Sequence, residues 1–162
     1  MEPVTANAVR TAKYLVCVDA REESRVALRL ACMKAQARGN SVGMLHVIAP
    51  VDFQTLGGVA ERMREERHKE AEELLNGLAA DAAAAFGVTP SLILREGLIG
   101  DEIVQAALDD ANVNMVVIGV AQQSNTRGKL AAWLAGQLGA KLFIPLLMVP
   151  GNLTDQQLQT VI

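Results

Sequence analysis

The stretch NMVVIGVAQQSNTRGKLAAWLAGQLGAKLFIPLLMVP, residues Asn114–Pro150, decides how this chain folds. After Asn114 it opens with an unbroken apolar run, 115–119, that ends at a glycine. It closes with another, 144–150, carrying Pro145 near its start and Pro150 at its end. Between them 128–143 reads as a helix weakened by Gly136 and Gly139. A strand, a helix and a second strand, with no tight turn joining the strands, make a crossover unit, so the two strands run parallel. Apolar runs this continuous belong to strands covered on both faces; a strand with one wet face would alternate.

The same alternation extends back to the start of the chain. YLVCVD, 14–19, reads as a strand. A helix follows over 24–39, where Val26, Leu30, Met33 and Ala37 recur at helical spacing and Gly39 stops it. The run 41–50 is a second strand, closed by Pro50. After a loop with Gly57 and Gly58, a helix spans 59–86 and ends at Gly87. Its first half is the charge run ERMREERHKEAEE, a solvated face laced by i,i+4 pairs. Its second half buries Leu74, Leu75, Leu78 and Ala82. TPSLILRE, 89–96, is the third strand. GDEIVQAALDDA, 100–111, is a helix with Asp101 and Glu102 at its positive end. The predicted fold class is α/β: a single doubly wound domain, a five-stranded parallel sheet with helices on both faces. The domain runs 13–150, preceded by a flexible lead, 1–12, and followed by a polar tail, 151–162, with room for a short helical turn.

A chain of 162 residues suits one domain with a real core. It is 51% hydrophobic but only 3% aromatic, so small aliphatic side chains must seat the helices on the sheet. A net charge of -3 offers no footprint for nucleic acid or an anionic membrane. No apolar run approaches the roughly 20 residues that span a bilayer. The opening residues lack the apolar core of a signal peptide. Cys17 and Cys32 make neither a metal spacing nor a disulfide framework and read as buried, reduced thiols. The expectation is a cytoplasmic protein with no metal, no nucleic acid and no membrane partner.

Doubly wound sheets bind ligands beyond the carboxyl ends of their strands, where strand order reverses. That rule nominates 19–20, 46–48 and 118–128. A dinucleotide fingerprint needs G-x-G-x-x-G after the first strand, where this chain has VDAREES, without a glycine. A Walker loop is absent, and GVAQQS does not supply the G-x-S-x-G of a hydrolase elbow. His46, between Leu45 and Val47, reads as a packed neutral side chain, and His68 as a solvated one. Asp109 and Asp110 sit at a helix end without an acid–base partner. No nucleophile, base and orienting group converge, so no catalytic residue is assigned and no enzyme activity is expected.

Four segments, in order and spacing, resemble the universal stress protein family over residues 13–150. YLVCVDAREESRVALRLA resembles the family's opening strand, aspartate and serine-containing helix start. GNSVGMLHVIAP resembles its second strand with His-Val and a closing proline. REGLIGDEIVQAALDDANVNMVVIG resembles its glycine turn, third helix and fourth strand, and IPLLMVP its last strand. ATP-binding members carry glycine, two residues, glycine, nine residues, then glycine followed by serine or threonine. The backbone N–H groups and the hydroxyl of that loop hold phosphates. Laid on this pattern without a gap, Gly119 matches the first glycine. Gln122 stands at the second, Ala132 at the third, and Trp133 replaces the hydroxyl; the same register puts Pro145 on the family's proline before the last strand.

The resemblance therefore implies the branch that does not bind ATP, with no cofactor and with adenine nucleotide disfavoured. Trp133 would fill the phosphate space or pack on the sheet. A vestigial nucleoside end remains, in which Asp19 matches the ribose and adenine contact and Val47 the backbone contact to adenine. From the residues alone, Asp19 reads equally well as an anchor for the first helix, and both readings stay open. Arg127, Gly128 and Lys129 form a basic loop or a displaced anion site. The resemblance also implies a homodimer through antiparallel pairing of the last strands. Leu146, Leu147, Met148 and Val149 agree, being an uncharged apolar run with no element after it to cover its edge. The expected function is a non-enzymatic stress-response protein acting through homodimerisation and protein association. The alternative is a sensor of nucleotide or nucleoside at the cleft between strands one and four.

Overall fold

The computed structural model describes residues 11–52, 54, 57–121 and 125–162. The strands are β1 (Lys13–Cys17), β2 (Ser41–Ile48), β3 (Ser91–Glu96), β4 (Val113–Val120) and β5 (Leu146–Pro150). The helices are α1 (Glu22–Arg38), α2 (Ala60–Phe86), α3 (Ile99–Asp109), α4 (Asn125–Leu134) and α5 (Asp155–Gln159). The five strands form one parallel sheet in the order β3-β2-β1-β4-β5. The chain winds outward from β1 through β2 to β3, then returns to lay β4 on the other side of β1. Strand order therefore reverses between β1 and β4.

Successive residues of each strand enter opposite layers, so both layers need apolar side chains. Tyr14 and Val16 of β1 join Val42, Met44 and Val117 under α1 and α2. Leu15 joins Leu45, Val116 and Ile118 under α3 and α4, against Ile103 and Leu134. Two helix stops are glycines in the left-handed region, Gly39 at φ 68° and Gly87 at φ 65°, and each N–H returns to a carbonyl four residues back. A side chain there would strain the backbone, which is why these stops were legible.

Three local departures have physical reasons. β1 ends at Cys17, two residues short of the expected Asp19, because Ser24 turns the chain there. The helix expected over 128–143 begins at Asn125 and passes into a π-helical segment, Ala135–Lys141, holding Gly136 and Gly139. Glycine holds the α-helical ladder less firmly than any residue but proline, so the wider turn falls there. The stretch expected as a polar tail contains α5, capped by Thr154 and Gln157 in a reciprocal box. Leu158 is 0% exposed, and Leu153 and Ile162 pack on the same α1-side cluster. Burying Leu158 is worth about 1.5–3 kcal/mol, and an ion pair from Arg29 to Asp155 ties α5 to α1. Among the described residues, no helix is long and apolar enough to cross a membrane.

Candidate functional site

A cleft of about 120 Å³ opens at the carboxyl ends of the central strands. Cys17 borders it from the end of β1, Val18 and Asp19 from the turn that follows, His46 and Val47 from β2, and Ile118 and Gly119 from β4; Ile99 and Leu130 close it from the helices. Asp19, Val47 and Gly119, widely separated in the chain, thus meet at the point where strand order reverses.

The turn after β1 is built by two side chains. Ser24, wholly buried, accepts the Asp19 N–H at 3.1 Å, and its hydroxyl lies 2.8 Å from the Asp19 carbonyl and 3.1 Å from that of Arg21. An Asp19 carboxylate oxygen accepts the Arg21 N–H at 2.8 Å. Asp19 thus closes a turn on Arg21, the residue before α1, and the same residue borders the cleft. From the neighbouring strand, His46 Nδ1 donates to the Val18 carbonyl at 2.7 Å, since a carbonyl can only accept. His46 therefore pins the end of β2 to the β1 turn.

Gly119 is fixed by packing. A Cβ there would stand 2.1 Å from the Glu23 carbonyl oxygen and 2.9 Å from the Ser24 nitrogen. A Cβ on Gly151, just past β5, would meet Glu23 Cβ at 2.6 Å. The first turn of α1 is thus wedged between the ends of β4 and β5, and only glycine fits on either side. This requirement stands whether or not a phosphate ever approaches.

Of the remaining motif positions, Ala132 and Trp133 lie apart from the cleft wall. Gln122 falls outside the described residues. Ala132 is exposed on α4. Trp133 neither packs on the sheet nor borders the cleft; its ring lies on the first turn of α3, where a Cβ on Gly100 would meet Cζ3 at 2.6 Å. The backbone of Arg127 and Gly128 belongs to α4 rather than to a loop; their side chains lie outside the described residues, and Lys129 is exposed.

The charged groups elsewhere are structural ties. His68, expected as merely solvated, has Nε2 3.2 Å from Glu96 Oε2, and Arg64 Nε donates to the same oxygen at 3.1 Å. The His68 hydrogen bond, then the Arg64 charge and hydrogen bond, hold the Glu96 carboxyl below its ordinary value. Asp109 pairs with Arg95 and Asp110 with Lys13, each at 2.6 Å, and both carboxyls are lowered by those hydrogen bonds. Cys32 is buried, and burial pushes its thiol up to about 11. Cys17, expected to be buried, is half-open to the cleft. Cys17, Val18, Ile99 and Leu130 escaped the sequence reading as wall residues, since in sequence each looks like part of an apolar element; His46 lies within the nominated 46–48.

A doubly wound parallel sheet with its opening at the β1/β4 switch point defines an α/β protein of the adenine-nucleotide alpha-hydrolase-like fold. Residues 11–150 match the universal stress protein family, and the chain belongs to that family. Its fold is similar to that of a universal stress protein family member from Burkholderia pseudomallei, at 20% identity and a TM-score of 0.70, covering 88% of this chain and 98% of that one. It is similar also to a universal stress protein from Archaeoglobus fulgidus, at 26% identity and a TM-score of 0.61, covering 86% and 98%. An Arabidopsis thaliana family protein solved with AMP bound matches at 18% identity and a TM-score of 0.59, covering 86% and 91%. No curated protein sequence matches the chain.

Proposed function

We propose that this protein is a cytoplasmic stress-response member of its family that acts by self-association and contact with other proteins, without catalysis and without holding a triphosphate. Trp133 carries the reading. The resemblance puts the phosphate-binding hydroxyl at that position, and the side chain there is an indole resting on Gly100. The cleft's 120 Å³ also falls well below the roughly 300–1,000 Å³ of sites that enclose a ligand of nucleotide size. Calorimetry with Mg-ATP is expected to give nothing tighter than about millimolar, or roughly -4 kcal/mol. Saturation at low micromolar ATP overturns this.

Self-association rests on β5. It has β4 on one side and lies at the end of the sheet, with Met148 53% exposed and no charge from Leu146 to Val149. An edge of this kind invites a second copy. The protein is expected to sediment as a dimer at tens of micromolar. Met148→Pro, with circular dichroism unchanged, is expected to shift it toward monomer by removing an N–H. A wild-type monomer refutes the pairing.

A second reading, a nucleoside sensor, is favoured by one observation: Asp19, Val47 and Gly119 border a single cleft. Structures of relatives with AMP, cAMP or dAMP bound make it a natural competitor. Adenosine binding that is lost in Asp19→Ala while the fold survives would select this reading.

A further inference from the structure

The π-helical segment Ala135–Lys141 runs through Leu142 into Phe143, which stands at φ 55°. The Ile144 N–H then returns to the Leu138 carbonyl at 2.8 Å and closes the turn. Gly39 and Gly87 make the equivalent left-handed stops of α1 and α2. Among the described residues, Phe143 is the one non-glycine at positive φ. A Cβ is strained in that region, and a bulky side chain is a rare occupant. The ring is 85% exposed, although Leu142 and Ile144 on either side of it pack on the α3–α4 layer. It therefore returns almost no packing to its own chain, and glycine would hold the same turn with less strain.

Phe143 stands just before β5, the strand at the end of the sheet. The Pro145 carbonyl accepts the Val116 N–H at 2.9 Å, and the Gly151 N–H donates to the Val120 carbonyl at 3.0 Å. Those two residues of the strand face β4. Hydrogen-bonding groups alternate sides along a strand, so the N–H and carbonyl groups of Leu146 and Met148 face the open edge, with the Pro150 carbonyl. In an antiparallel pair these groups exchange hydrogen bonds when the two-fold axis passes Leu147 or Met148. In either register Phe143 of one copy comes level with residues 151–153 of the partner subunit, just past the end of its β5.

We propose that Phe143 is the anchor of self-association, its ring seated on residues 151–153 of the partner subunit, twice across the two-fold axis. The proposal rests on the pairing of β5 argued above and adds the residue that gives it affinity. Charge favours a second copy as the occupant. Residues 142–154 carry no charge, with Lys141 before them and Asp155 after them. Antiparallel pairing sets the Lys141 end of one copy beside the Asp155 end of the other, where a parallel pair would set like with like. Area favours it too. A strand of five residues is small against the roughly 800 Å² a side of a standard interface, and a buried phenylalanine adds about 150–250 Å² from each copy.

Sedimentation equilibrium of the full chain tests the anchor. Phe143→Gly is expected to weaken dimerisation at least about tenfold, a loss of roughly 1.4 kcal/mol. At a dilution where both proteins are monomeric, its urea midpoint is expected to stay level or rise, because the left-handed strain is relieved. Phe143→Asn, which also tolerates that region, is expected to behave alike. A wild-type dimer that Met148→Pro dissociates and Phe143→Gly does not overturns the anchor and leaves the β5 pairing standing; a wild-type monomer overturns both. A lower urea midpoint in Phe143→Gly also overturns it, since the ring then serves its own chain's fold. The seat is located by mixing a Phe143→Cys copy with an Asn152→Cys copy. A short bismaleimide is expected to link the mixture and neither copy alone; linkage of Phe143→Cys to itself puts the ring on the axis and overturns the seat.

Discussion

At Gly119 the atoms in the way of a side chain are backbone: the carbonyl carbon and oxygen of Glu23 and the nitrogen of Ser24, in the first turn of α1. At Gly100 they are the outer carbons of one ring, Trp133. The first contact joins a strand end to a helix that Ser24 and Asp19 already hold in place. The second joins two helices through a side chain that can turn aside. Packing by itself therefore requires the glycine at 119. The tryptophan at 133, in contrast, needs the glycine at 100 to let its ring lie on α3.

The largest expected effect tests the rigid member of the pair. Gly119→Ala is expected to lower stability by about 3 kcal/mol, the upper end of ordinary overpacking, because neither β4 nor α1 can retreat. Urea denaturation checks it. A loss under about 1 kcal/mol would mean that the α1 wedge yields and that the two glycines are alike.

Gly100→Ala tests the yielding member. Overpacking costs about 1–3 kcal/mol, but alanine in place of glycine within a helix returns roughly 0.8–1 kcal/mol. The net change is expected to be about 1 kcal/mol or less. The signal lies instead in the sole tryptophan, whose emission should shift as the ring leaves α3. An unchanged spectrum with a large stability loss reverses the contrast.

The smallest effect comes from a contact that is ionic where those two are steric. Glu96 at the end of β3 is held by His68 and Arg64, and its carboxyl lies below the ordinary 4.5. The stabilisation is present above 4.5 and is lost as pH falls through the lowered folded-state value. His68 and Arg64 are largely exposed, so the contribution is about 0.2–1 kcal/mol. Glu96→Gln is expected to remove this amount at pH 7 and to flatten that part of the acid limb in a pH series of melts. An unaltered acid limb would show that the pair is idle.

The strands and helix stops were legible because each rests on a local rule: burial on both faces writes continuous apolar runs, and a left-handed stop demands glycine at 39 and 87. The nomination of Asp19, Val47 and Gly119 followed from one topological rule plus a resemblance. A short helical turn in the C-terminal stretch was legible but its docking was not, since Leu153, Leu158 and Ile162 are too sparse in a polar stretch to announce that they pack on the core. Nor was the partner of His68: a residue in a charge run looks solvated until β3 delivers Glu96 beside it.

The sequence by itself determined the architecture and the absence of dinucleotide and Walker signatures, because these are properties of residue type and spacing along one chain. Only the tertiary structure decided that Gly119 seats α1, that Trp133 lies on Gly100 away from the cleft, and that α5 closes the α1 layer. Each of these is a contact between elements far apart in the chain, and its distance is fixed by how two backbones pack, which no local pattern records.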